Sequence, residues 1–365
     1  MIEVRVYDDV EALSWDRRVR QCLGGGFRQT SMYAQYKNRW KESPLYFVAR
    51  DEDGTIVGQL LAICGSPWGW GLERRPLSSV TLPFARWIAP HLYWHEGPLV
   101  FKTVRYREVL HALLCAVVRE ARSRRFLVAG GQLSHFVQEP EKEQALLQEI
   151  ASGLAISTET RFTLAVDLTN PCEKLWSNVR KEARTKVRKA QKQGVEIEEI
   201  GSDYQLLQRA YEVVTETAQR NGVMPLAFED FKDSYEYHSR IGVERSFLSV
   251  FEGHPVSYQK VVYYNGNALL GGVSYSDFSR ERRLYGNDLM QWYIIEQGHI
   301  DGWRWLDFGG AEPNSPDLKM QGIYKFKAKW GGQLLSCEHL HWSHSFMERL
   351  NRLMPNKLHR MVQGG

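Results

Sequence analysis

Cysteines are few in this sequence, and long apolar runs are missing. No C-x-x-C pair occurs, and the cysteine count is odd, which argues against a disulfide framework or a zinc ribbon and predicts a reducing, cytoplasmic environment. The cysteines are Cys22, Cys64, Cys115, Cys172 and Cys337. The longest apolar stretch, residues 112–118, is far too short to cross a bilayer, and the first residues show no secretory leader pattern.

The sequence also lacks a strong excess of charge. Its 365 residues carry a net charge of only +4, with 25% charged and 43% hydrophobic residues, which is typical of a globular protein. Binding of a polyanion must therefore depend on a local cluster of charge. A chain of this length predicts two domains of roughly 150 to 200 residues each.

An internal repeat supports that prediction. Residues 45–64 and 246–266 both read as strand, tight turn and strand, with Asp-Gly and Gly253 at the turns. Each hairpin precedes an amphipathic helix that leads into a short strand ending in Gly-Gly, over residues 106–131 and 287–310. Duplication explains the shared order, whereas chance similarity of two hairpins is the alternative. We predict domains at 1–155 and 156–345.

A tail over residues 346–365 follows the predicted domains. Its apolar residues, among them Phe346 and Leu350, lie near one helical face with basic residues around them. Packing on the protein's own domain and peripheral contact with an anionic membrane both fit this pattern.

A second polarised segment is the predicted helix at residues 173–193. Seven cations and only one acid lie between residues 180 and 192, while an apolar seam repeats at helical spacing. Gly194 is suited to end this helix. A solvated helix face explains the pattern, and so does a surface for a phosphate-bearing partner. On the second interpretation, Arg184 and Arg188 are candidate substrate-binding residues.

The segment GIYKFKAKWGG, residues 322–332, alternates lysines with apolar residues. This period predicts a strand with one wet face that carries Lys325, Lys327 and Lys329.

Several segments together resemble the Fem family of aminoacyltransferases. They cover most of the chain in the expected order, and the basic helix followed by D-F-G-G and then by F-K before Gly-Gly is the most specific part. The segments are residues 27–37, 53–61, 95–100, 163–197, 216–223 and 306–332. The resemblance implies an α/β (α+β) fold of two tandem GNAT-like acyltransferase domains, each a mixed, mostly antiparallel sheet flanked by helices.

The same resemblance implies the activity and the site. It implies transfer of an aminoacyl group from aminoacyl-tRNA to an amine of a peptidoglycan or other nucleotide- or lipid-linked envelope precursor, without a metal or resident cofactor. Lys327, with Phe326 beside it, falls on the lysine of the family's F-K motif. Lys37 and Arg220 match residues that bind the precursor and its phosphate, and Tyr275 is a looser match on the substrate side.

Two other functions remain open from the sequence. The helical arm that some family members insert for tRNA is absent after Gly194, so an acyl-CoA or acyl-carrier thioester is an alternative donor. A non-catalytic module that binds polyanions through the basic helix is the third hypothesis. In the catalytic hypotheses, the Lys327 ammonium stabilises the oxyanion of the tetrahedral intermediate.

Overall fold

The computed structural model describes residues 2–65, 90–101, 105–136 and 140–344. The chain divides into two compact units, residues 1–161 with 336–365, and residues 162–335. The predicted domain limits differ from this division, because the strand at Gln333–Ser343 enters the first unit at Ser336. The predicted tail at 346–365 lies outside the described residues.

The first unit contains four helices and a short 3-10 turn at Phe27–Gln29 among its described residues. The helices are α1 (Ala12–Gln21), α2 (Ser31–Arg39), α3 (Tyr106–Ser123) and α4 (Pro140–Gly153). The strands are β1 (Glu3–Tyr7), β2 (Ser43–Arg50), β3 (Ile56–Gly65), β4 (His91–Trp94), β5 (Leu99–Val100), β6 (Val128–Gln132) and the first part of β7 (Ser157–Asp167). The last strand, β14 (Gln333–Ser343), closes this unit.

The sheet of the first unit has the order β1-β2-β3-β4-β6-β14. Its pairs are antiparallel except β4–β6, which is parallel. Because α3 has an apolar stripe at helical spacing, it buries Val109, Leu110 and Leu113 against this sheet. Burial of such a stripe is the main source of stability for a helix on a sheet.

The second unit contains seven helices among its described residues. They are α5 (Cys172–Asn178), α6 (Lys181–Gln193), α7 (Tyr204–Arg220), α8 (Phe228–Arg240), α9 (Asp277–Arg282), α10 (Gly286–Ile300) and α11 (Leu318–Ala328). The strands, besides the end of β7, are β8 (Glu196–Glu199), β9 (Glu244–Phe251), β10 (His254–Tyr264), β11 (Asn267–Leu270), β12 (Ser274–Tyr275) and β13 (Trp305–Ala311).

The sheet of the second unit repeats the pairing pattern of the first. Its order is β8-β9-β10-β11-β13-β7, again antiparallel except for one parallel pair, β11–β13. A hairpin, a third strand, a long helix and a strand with Gly-Gly before its last residue occur in the same order in both units. The second core lies between the sheet and helices α6 and α10, and it includes Val187, Ile294 and Leu306.

The basic segment forms two helices rather than the one predicted. Between α5 and α6, Val179 and Arg180 are extended, and the Arg180 N–H donates to the carbonyl of Lys329 at 2.9 Å. The continuous helical pattern of the sequence gives no sign of this distant acceptor. The hydrogen bond forms only in the tertiary structure, and it interrupts the helix between α5 and α6. Gly194 ends α6 at φ +85°, in the left-handed region where glycine is unstrained.

The prediction of a strand at residues 322–332 was wrong, because most of this segment belongs to α11. Asp317 caps the helix, since its side chain accepts from the Lys319 N–H at 2.7 Å. At about 100° per residue, alternate lysines do not share a helix face. Lys325 is exposed, Lys327 is half-buried, and Lys329 lies buried just beyond the helix. The three lysines therefore do not share one surface, as a wet strand face requires.

Candidate active site

A bulge at the end of β13 shapes the site in the second unit. The register against β7 shifts between Asp307 and Gly310, and Gly309 takes φ +73°, which strains any other residue type. The buried Asp307 carboxylate stabilises the bulge, because its Oδ1 accepts from the Gly309 N–H at 2.7 Å and from the Thr163 hydroxyl. The ladder resumes after the bulge, where Gly310 is paired with Thr163 of β7.

Lys327 meets this bulge from α11. Its Nζ donates to the carbonyl oxygen of Gly310 at 2.6 Å. An ammonium has three donors, and no second hydrogen-bond partner of the Lys327 Nζ occurs among the described residues. Burial lowers the pKa of the Lys327 ammonium below that of an ordinary lysine, and the negative charge of Asp307 opposes the shift. The Lys327 ammonium is thus a half-buried positive charge with hydrogen-bond donors available for a substrate oxygen.

The residues beside Lys327 have packing roles in the structure. Lys329 is 4% exposed and forms an ion pair with Asp288 of α10 at 2.6 Å. The Phe326 ring lies against this pair, with the Lys329 Nζ 4.1 Å from the ring centroid, and packs edge-on to Trp330. Lys329 therefore anchors the end of α11 with its charge paired, whereas the sequence pattern predicted that it shares a wet strand face with Lys327.

The structure brings Arg220 and Tyr275 together, also in the second unit. The Arg220 Cζ lies 4.1 Å from the centroid of the Tyr275 ring, and its Nη2 donates to the Tyr275 carbonyl at 2.9 Å. Its Nη1 donates to Asp277 Oδ1 at 2.8 Å, and the Asp277 side chain is 51% exposed. Because that carboxylate is accessible to water, a phosphate can compete with it for the guanidinium.

Lys37 lies in the first unit and has an internal partner. It is 9% exposed and forms an ion pair with the buried Glu42, which also accepts from the Tyr93 hydroxyl at 2.9 Å. The Lys37 Nζ lies 5.6 Å from the centroid of the Tyr93 ring. Its predicted role in binding a precursor stays a prediction, and the structure adds a carboxylate that any ligand must compete with.

The basic helix α6 keeps most of its cations in solvent. Arg188 is exposed, with its guanidinium 5.5 Å from the centroid of the Trp176 ring, and Arg184 is half-buried. Two further cations of α6, Lys186 and Lys189, lie over the ring of Tyr285, which caps α10 at its N-terminus. The outer face of α6 therefore presents positive charge near the start of another helix, where the backbone dipole also favours anions.

Sequence reasoning missed two features of this unit. The bulge between Asp307 and Gly310 depends on a register shift against β7, although D-F-G-G marks its position. The partnership of Lys329 with Asp288 joins residues 41 positions apart, and only the acidic residue in the first turn of α10 hints at it.

The described part of the chain contains no group of three or more His, Cys, Asp or Glu residues placed to hold a metal ion. Among these residues no helix is long and apolar enough to cross a membrane.

Comparison with known proteins finds a family model and several solved structures that this chain resembles. Residues 177–327 match the family model described as an acetyltransferase (GNAT) domain. The structure of FemX superimposes with a TM-score of 0.73 at 15% identity, covering 96% of this chain and 99% of that one. A tandem GNAT protein from the clavulanic acid biosynthesis pathway gives 0.52 at 15% identity, covering 94% and 98%. At the level of sequence, no curated protein matches the chain.

A further solved structure with this fold is the C-terminal domain of a protein assigned as a lysylphosphatidylglycerol synthetase from Agrobacterium fabrum. Its TM-score is 0.54 at 13% identity, covering 93% of this chain and 95% of that one.

Residues 177–327 thus match an acetyltransferase (GNAT) domain, and the likeness to the tandem GNAT structure confirms the predicted fold class. Within this class, the chain is similar in fold to FemX over almost its whole length, so the predicted resemblance to the Fem family is confirmed for the fold.

Proposed function

We propose that the protein transfers an aminoacyl group from aminoacyl-tRNA to an amine of a nucleotide- or lipid-linked envelope precursor. The observation that carries this proposal is the Lys327 ammonium at the D-F-G-G bulge, half-buried and with donors to spare. The positive outer face of α6 supports a phosphate-rich donor, and Arg220 supports a phosphate on the acceptor.

The chemistry needs little besides positioning and charge. The amine attacks the ester carbonyl and forms the C–N bond, and the carbonyl oxygen becomes an oxyanion that Lys327 stabilises. Collapse of this intermediate breaks the C–O bond, and the proton released by the amine ends on the departing ribose hydroxyl. Because the ester is already activated, holding the two reactants in register supplies much of the acceleration.

Binding of the donor tests this proposal directly. We expect aminoacyl-tRNA to bind with strong salt dependence, because α6 neutralises phosphates and releases counterions. Replacing Arg184 and Arg188 with alanine is expected to lower the slope of log K against log salt by about 1.5. The matched control is the double replacement of Arg17 and Arg20, two exposed cations of α1 in the other unit.

The alternatives appear as other results of the same titration. The GNAT acetyltransferase match over residues 177–327 favours an acyl-CoA or acyl-carrier donor as the second candidate. Tight binding of acetyl-CoA without binding of charged tRNA establishes that candidate instead. Equal binding of charged and uncharged tRNA, without transfer to any amine, identifies a polyanion-binding module.

Arg220 provides a test of phosphate recognition on the acceptor. Replacing Arg220 with alanine is expected to raise KM for a phosphate-bearing acceptor by about 10- to 100-fold with little change in kcat. Asp277→Asn is expected to lower KM, since it removes the carboxylate that competes for the guanidinium. Steady-state kinetics measure both. Arg282→Ala, at an exposed arginine of α9, is the control.

These two opposite changes exclude a purely structural effect, because misfolding raises KM or abolishes activity in both variants. If Asp277→Asn also raises KM, or if an acceptor without phosphate responds equally, Arg220 does not bind the phosphate.

A further inference from the structure

The first unit contains a cavity with two carboxyl groups in its wall. It lies where the end of β6, the first turns of α4 and the strand β14 meet, and its volume of about 20 Å³ has room for one group the size of a water molecule or an ammonium, with an open mouth beyond it. Its lining residues are Leu133, Ser134, Glu143, Gln144, Leu147, Ser336, Cys337 and Glu338. No lysine, arginine or histidine occurs among them.

Glu338 of β14 is only half satisfied. Its side chain is 3% exposed, and its Oε1 accepts from Gln144 Nε2 at 2.6 Å and from Thr160 Oγ1 at 2.5 Å. Its Oε2 is also buried, and it has no hydrogen-bond partner among the described residues. A buried carboxylate oxygen without a donor costs the full desolvation of that group, so the folded chain leaves room for a donor here.

Glu143 of α4 lines the same cavity. Burial raises the pKa of its carboxyl to about 7, without any opposing cation to lower it. The amide of Gln144, the next residue on this helix, is already bonded to Glu338. Two carboxyl groups in one cavity, with no cation among its described lining residues, are arranged to receive the positive charge of a ligand.

The remaining walls limit the shape of such a ligand. Leu133 and Leu147 are 5% and 0% exposed and provide an apolar surface. The Cys337 thiol adds a weakly polar group to the wall. A primary ammonium supplies three donors and a charge, and a short alkyl chain suits the leucines. A water molecule can donate to Glu338, yet it brings no charge for the pair of acids.

We propose that this cavity is a binding site for the ammonium end of a primary amine, held between Glu338 and Glu143. The site is built from β6, α4 and β14 of the first unit. In the repeat, these elements correspond to β13, α11 and β7, which form the Lys327 site of the second unit. The proposal concerns binding and does not depend on the transfer reaction.

Calorimetric titration of the full chain with n-butylammonium chloride tests the site, with n-butanol as the uncharged probe of the same shape. We expect the amine to bind at least about tenfold more tightly than the alcohol, because only the amine carries a charge. Glu338→Gln and Glu143→Gln are each expected to lower the affinity for the amine by about tenfold or more. Glu149→Gln, an exposed acid of α4, is expected to leave its affinity within about twofold.

Other results overturn the proposal. Equal affinity for the amine and the alcohol shows that the cavity does not recognise charge. Unchanged amine affinity in both glutamine variants places the binding elsewhere, and the absence of binding to the intact chain makes Glu338 a structural acid that only joins Gln144 and Thr160. If Glu338→Gln does not fold, Glu143→Gln still decides, because the Glu143 side chain has no hydrogen bond among the described residues.

Discussion

Replacing Lys327 with alanine is expected to lower kcat by about 100- to 1,000-fold, with a much smaller change in the KM of either substrate. The reason is that its ammonium contributes mainly when charge develops on the carbonyl oxygen, which happens only in the transition state. The measurement is steady-state turnover with the donor and acceptor that the intact protein uses. Lys325→Ala on the same helix, where the side chain is exposed, is expected to keep full activity.

The pH profile separates this role from a structural one. Because burial lowers the pKa of Lys327, the ammonium is lost at a lower pH than in an ordinary lysine, and kcat falls on that alkaline side. Lys327→Arg is expected to recover part of the activity and to remove this alkaline limb, since arginine stays charged. Unchanged turnover in Lys327→Ala shows that the oxyanion assignment is wrong.

Replacing Lys329 with methionine is expected to lower the free energy of unfolding by about 3 to 5 kcal/mol. The substitution leaves the Asp288 carboxylate buried without its partner, because the ion pair lies in the interior of the second unit. Urea unfolding followed by circular dichroism measures the loss. Lys325→Met is the matched control, and it is expected to change the free energy by less than about 0.5 kcal/mol because Lys325 is exposed.

A second substitution distinguishes the stranded charge from lost packing. In Lys329→Met with Asp288→Leu, both charges are absent, and most of the lost stability is expected to return. If the double variant is as unstable as the single one, the loss comes from the packing of Lys329 on Phe326 and Trp330.

Most of the fold could be predicted from the sequence, because its elements carry strong local patterns. The hairpins at Ser43–Gly65 and Glu244–Tyr264 combine alternation with glycine-containing turns, and α3 has a regular apolar stripe. Repetition of these signals in the same order predicted two related sheets. The strand prediction at 322–332 failed because alternation outweighed a weaker local signal, the Asp317 cap.

The candidate site was predictable only in part. Lys327 and the D-F-G-G segment were found through the resemblance to the Fem family, while Arg220 and Tyr275 were named without any indication that they stack on each other. The ion pairs of Lys37 and Lys329 were not foreseen, because a charged residue in an amphipathic or alternating pattern reads as exposed.

The sequence by itself determined the repeated order of helices and strands, the basic surface of α6 and the position of a lysine near D-F-G-G, because these depend on neighbours along the chain. Only the tertiary structure decided that Lys327 meets the Gly310 carbonyl, that Lys329 pairs with Asp288, and that one oxygen of Glu338 has no donor among the described residues. Each of these depends on backbone register and burial across distant segments, which local propensity does not encode.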